Sequence, residues 1–115
     1  MPAITQFVKQ VRDGDLGPLQ MATICEHRFP FLEKVGDWNR FNRNSGGTLV
    51  EKCCHFFDLM RLLTQEEAVR VMASGAADHN HQDEQYDGET PDIIDNAFVI
   101  VDFASGKRAM LELNM

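Results

Sequence analysis

Long apolar runs are missing from this sequence, and no basic leader precedes an apolar core at its start. A helix needs about 20 apolar residues to cross a bilayer, so neither a membrane span nor a secretory signal is expected. Positive charge is scarce as well. Eleven Lys and Arg stand against 18 Asp and Glu, a formal net charge of -7. That balance repels a phosphate backbone and an anionic bilayer, which excludes nucleic acid and membrane as expected partners. Cysteine is limited to three residues, an odd number. Cys53 and Cys54 are neighbours that would leave a helix on different sides, so a disulfide framework is not expected and the thiols are read as reduced and cytoplasmic. No cysteine spacing defines a zinc site, and no G-x-G-x-x-G follows a strand, so the usual dinucleotide cradle is lacking.

What is present fits one ordinary domain over 1–115. Of the 115 residues, 43% are hydrophobic and 25% charged, close to average globular composition. "ITQFVKQVRDG" places Ile4, Phe7, Val8 and Val11 at helical spacing, with Gly14 as a stop. "LQMATICEHR" alternates as a strand, with Leu19, Met21, Thr23 and Cys25 on one face and Gln20, Ala22, Ile24 and Glu26 on the other. From Phe29 to Ser45 the period is lost in a long loop whose "WNRFNRN" concentrates Trp, Arg and Asn. A helix is predicted from about Gly47 to Leu63. A strand, "AVRVMASGAA", follows, with Val69, Val71 and Ala73 on one face. The polar, acidic "DHNHQDEQYDGETPD" reads as an exposed loop. "IIDNAFVIVDF" and "RAMLELNM" flank "ASGK" at the spacing of an antiparallel hairpin. This order favours an α+β domain with helices packed on one face of a largely antiparallel sheet. A last strand still running at the C-terminus, and a helix directly after Met-Pro, point to a piece of a longer protein.

"GGTLVEKCCHFFDL", residues 46–59, carries the chemistry. At about 100° per residue, Leu49, Cys53, Phe56, Met60 and Leu63 cluster on one side of the predicted helix, and Glu51, His55 and Asp58 on the other at i, i+4 and i+7. A solvated helix face spreads Lys, Glu and Gln over a broad arc. Here Cys54, Leu59 and Leu62 crowd the edges of a narrow stripe, which points to a helix buried nearly all round with its polar stripe facing a cleft. An imidazole between two carboxylates is suited to exchanging a proton near neutrality. Gly46 and Gly47 let a ligand approach backbone N–H groups at the helix start.

With its flanks "FVKQVRDGDLGPLQMATICEHR" and "DNAFVIVDFASGKRAMLELNM", that stretch resembles the second domain of the Gfo/Idh/MocA oxidoreductases over nearly the whole chain. The resemblance implies an α+β sheet domain that supplies substrate contacts and an oligomer interface, while a separate first domain holds NAD or NADP. It implies Gly46 and Gly47 as the glycine pair and Glu51 as the substrate-binding acid. It gives His55 the role of exchanging a proton with the substrate hydroxyl, and Asp58 that of orienting it. Glu51 departs from the Asp of many members by one methylene. The family's Glu-Lys-Pro lysine and its nucleotide motif are absent. No cofactor is therefore expected for these residues alone, nor hydride transfer by them alone.

Trp38 and Arg40, with Asn42 and Arg43, lie just ahead of the glycines, where they could close over a polyhydroxylated ligand; the plain alternative is a loop anchored by Trp38 and Phe41. His27 ends a strand and reads as structural. His79 and His81 beside Asp78 and Asp83 carry the residue types of a metal site, but a solvated loop accounts for them better. Three ligands drawn from one helix, Glu51, His55 and Asp58, make a poor closed metal site. Two functions remain. The chain is the substrate-binding portion of an NAD(P)-dependent oxidoreductase acting on a sugar, inositol or related polyol, and a homo-oligomer through its sheet. Alternatively it is a stand-alone ligand-binding or dimerisation module.

Overall fold

The computed structural model describes residues 2–115. The helix α1 (Pro2–Asp13) leads to strand β1 (Met21–His27), a 3-10 segment (Val35–Arg40), and the short helices α2 (Asn42–Ser45) and α3 (Thr48–Glu51). Helix α4 (Cys54–Thr64) and strands β2 (Ala68–Ala76), β3 (Asn96–Phe103) and β4 (Arg108–Asn114) complete the fold. The sheet runs β1-β4-β3-β2, antiparallel across β2, β3 and β4, with β1 parallel to β4. The expected α+β class is the one observed. Among the described residues no helix is long and apolar enough to cross a membrane.

Alternation decides which face of the sheet is dry. Ala97, Val99, Val101 and Phe103 of β3 and Ala109, Leu111 and Leu113 of β4 point inward, where Cys53 and Met60 close over them. Each Val, Leu, Phe or Met among them contributes about 1.5–3 kcal/mol when taken out of water. In β1 the half-buried face is Ala22, Ile24 and Glu26, while Met21, Thr23, Cys25 and His27 stay exposed. Strand β2 is the far edge. It is exposed from Ala68 to Gly75, although Val71 and Ala73 pair in register with Val101 and Val99. The opposite face of the sheet exposes Met72, Phe98 and Ile100.

The long helix expected from Gly47 to Leu63 is two pieces. Helix α3 stops at Glu51, the chain turns at Lys52 and Cys53, and α4 starts at Cys54. Cys53 takes φ -105° and ψ -4°, outside the ideal helical well, and is completely buried against the sheet. Packing explains the break. Thr48 ties α3 to the carbonyl of Ile94, whereas α4 follows its own apolar stripe through Met60 and Leu63. One straight axis does not serve both. The end of α4 is closed by Gln65 in the left-handed conformation, its N–H reaching the Arg61 carbonyl at 2.8 Å.

A second difference concerns residues 78–92, expected as an exposed acidic loop, and Asp95, expected in a strand but lying just ahead of β3. Asp95 is 5% exposed. Its carboxylate accepts the backbone N–H groups of Asp78, His79 and Asn80 at 3.2, 2.7 and 2.8 Å, and the Asn96 side chain at 2.8 Å. Burial opposes that charge, but the backbone donors outweigh it and hold the carboxyl below its ordinary value. The His81 side chain is only 8% exposed and meets Glu84 at 2.6 Å. His79 is exposed, as expected.

Candidate functional site

The site begins with a turn that only glycine fits comfortably. Gly46 (φ 76°) caps α2, its N–H bonded to the Asn42 carbonyl at 2.8 Å, and Gly47 (φ 84°) opens α3. A Cβ on Gly47 would lie 2.3 Å from Asn42 Oδ1, and one on Gly46 would lie 3.0 Å from Val50. The first helical bonds then run from the N–H groups of Val50 and Glu51 to the Gly47 carbonyl, at 3.1 and 2.9 Å.

Glu51 ends α3 half-buried, and its Oε2 is sealed from solvent with no hydrogen-bond partner among the described residues. A shielded carboxylate oxygen without a donor is costly, and an incoming hydroxyl relieves that cost. His55 stands in the first turn of α4, exposed, its ring centroid 4.1 Å from that of Phe56. Because the helix breaks between them, Glu51 and His55 do not share one continuous stripe. Asp58, expected to orient the imidazole, is bonded elsewhere. It accepts from Arg61 at 3.2 Å, and Arg61 also grips Glu67 at 2.5 and 2.9 Å. With 73% of its side chain exposed, Asp58 belongs to a surface network.

Trp38 is 41% exposed in the 3-10 segment, just after Gly36 and Asp37 take left-handed backbone conformations. Arg40 was expected beside it over a ligand and lies instead in the interior. Its side chain is 3% exposed, with Nε on Glu84 at 2.7 Å and Nη1 on Asn39 Oδ1 at 3.1 Å. Arg43 reaches Glu89 at 2.5 Å and stacks on the Phe41 ring at 4.3 Å. Glu84 is the junction, accepting from Arg40, His81 and Tyr86. Burial works against its charge, and the bonds from Tyr86, His81 and Arg40 prevail, taking the carboxyl down to about 2.

The sequence reading missed these anchors. The one signal available was charge complementarity between the Arg-rich "WNRFNRN" and the acidic stretch 78–92, which become the pairs Arg40 with Glu84 and Arg43 with Glu89. His27 bonds Glu112 across β1 and β4 at 2.7 Å, a structural role. Burial, and after it the charge of Glu26, pushes the Cys53 thiol up to about 11. That thiol packs, as expected.

The sequence profile of the oxidoreductase family's C-terminal alpha/beta domain matches residues 8–115, and the chain belongs to that family, Gfo/Idh/MocA. It is 33% identical over 103 residues to inositol 2-dehydrogenase of Rhizobium meliloti (strain 1021), a match covering 90% of this chain and 28% of that protein. Among solved structures it is similar to the aldose-aldose oxidoreductase of Caulobacter crescentus complexed with glycerol. There the TM-score is 0.74 at 26% identity, over 97% of this chain and 31% of that one. GenD2 from gentamicin A biosynthesis, solved with NAD, shares the fold at TM-score 0.75 and 20% identity, over 98% and 30% of the two chains. The chain thus spans less than a third of the relatives it matches.

Proposed function

We propose that these residues form the substrate side of an NAD(P)-dependent oxidoreductase acting on inositol, a sugar or a related polyol, a cytoplasmic enzyme. The observation that carries this reading is the shielded, unpartnered Oε2 of Glu51 beside the glycine turn. It is an acceptor waiting for a hydroxyl donor, and polyols are rich in hydroxyls. Family membership and the inositol dehydrogenase likeness support the same class.

In this reading Glu51 binds a hydroxyl next to the reacting carbon. Gly46 and Gly47, their N–H groups taken by Asn42 and Ser45 and their Cβ space by Val50 and Asn42, form the turn that presents Glu51 and do not themselves receive the sugar. His55 takes the proton of the reacting hydroxyl, and Asp58 stands three residues on along the same helix. Trp38 offers an exposed ring for stacking on the apolar face of the sugar, while Arg40 contributes by holding the loop. The nicotinamide supplies hydride acceptance when bound. Its binding belongs to polypeptide beyond these residues, which contain no G-x-G-x-x-G.

The uncovered sheet face carrying Met72, Phe98 and Ile100 serves in this proposal as the contact between copies of the protein. Sedimentation of Ile100→Glu against the unchanged chain tests that contact, and an unaltered mass removes it.

The test of the activity is His55→Ala in the longer parent, assayed with myo-inositol and NAD⁺. A loss of about 100-fold or more in turnover with unchanged NAD⁺ affinity is expected. Unchanged turnover removes the role given to His55. Binding of myo-inositol by these 115 residues without nicotinamide, in a parent with no turnover, would favour the module reading.

A further inference from the structure

We propose that Asp92 and Glu84 are positioning residues for Glu51, acting through Asn42 and Arg40 on the glycine turn from which α3 starts. This inference rests on the reading of Glu51 as a substrate contact and deepens it.

The need for such a device follows from the size of α3. Four residues make a single turn, far below the length at which a helix holds itself in water. Its N-cap is Gly47, which has no side chain to satisfy the first N–H groups. Something outside must therefore fix where Glu51 points.

The contacts supply a continuous path. The Asn42 backbone N–H donates to Asp92 Oδ1 at 2.7 Å, and the Asn42 side-chain amide donates to the Asp92 carbonyl at 2.8 Å. The oxygen of that same amide occupies the space a Cβ on Gly47 would need, so the turn is seated directly on Asn42. The Gly47 carbonyl in turn receives the N–H of Glu51.

A second path runs alongside. Glu84 holds the buried Arg40 guanidinium, and the Asp92 N–H donates to the Arg40 carbonyl at 3.2 Å. Thr48, the first residue of α3, donates its hydroxyl to Ile94 at 2.5 Å, two residues after Asp92. The whole of 40–48 is thus stitched to 84–94, and Glu51 inherits its place from that seam.

Amide hydrogen exchange in the 115-residue chain, read residue by residue by NMR, tests this without reference to turnover. In Asp92→Ala the Val50 and Glu51 amides should exchange about tenfold faster, while Val99 and Leu111 in the sheet keep their rates. Asp92→Asn, which keeps an oxygen for the Asn42 N–H, should restore the slow rates. Glu84→Ala should show the same localised pattern and decides the matter if Asp92→Ala does not fold. Unchanged rates at 50 and 51 overturn the proposal, as does an equal acceleration in the sheet. A failed His55 turnover test removes the role given to His55 and leaves this result standing. Unchanged exchange removes the clamp and leaves that reading intact.

Discussion

The β3–β4 hairpin and the segment 77–95 are adjacent in the chain and are held by opposite means. In the hairpin every second side chain leaves water, and Val99, Leu111 and Leu113 are each at most 2% exposed. In 77–95 Ile93 is also buried, but what sets the segment apart is its shielded carboxylates, each held by donors: Asp95 by three backbone N–H groups, Glu84 by Arg40, His81 and Tyr86. The first region is stabilised by what it excludes, the second by what it satisfies. A composition that looks solvated therefore says little about exposure when complementary charges lie elsewhere in the chain.

Substitutions can break that contrast in order of size. Leu111→Ala should cost about 2–5 kcal/mol in urea unfolding and loosen both regions, because the cavity opens beneath the shared sheet. Asp95→Ala should cost about 2–3 kcal/mol by the same measurement, since it abandons several buried donors at once. Its exchange signature should begin at residues 78–80 rather than in the hairpin.

Gly47→Ala should cost about 1–3 kcal/mol, from a left-handed backbone and the clash with Asn42. Acid sharpens the same comparison. Both Asp95 and Glu84 have folded values below their unfolded ones, so the stabilisation they give is complete above the ordinary carboxylate range. It is lost as pH falls, for Glu84 toward about 2. Amides of 77–95 should lose protection across that window before those of β3 and β4. Asp58→Asn marks the small end. Its pairing with Arg61 is a solvent-exposed one, and the thermal midpoint should not move measurably.

How much of this was legible in the sequence depended on periodicity. The hairpin, β1, β2 and α1 announce themselves through spacings of 2 and 3.6, and the glycine pair through its position before an apolar run. The break at Lys52 and Cys53 was invisible, because it arises from two packing demands on one helix and not from Gly or Pro. The parallel pairing of β1 with β4 was likewise unreadable, since both edges of a hairpin offer the same backbone groups. Arg40 was misplaced for a related reason: a lone Arg in a loop looks free until the partner 44 residues away is known. Glu51 and His55 were joined by their spacing on one helix, and the break between α3 and α4 separates them.

Cys53 has one more use. Cys25 and Cys54 are exposed, whereas Cys53 is sealed between α4 and the sheet with its thiol pushed up to about 11. Two thiols will therefore meet an alkylating reagent at once, and the third only when the helix lifts from the sheet. The chain carries its own clock: the lag before the third label is the waiting time for its core to open.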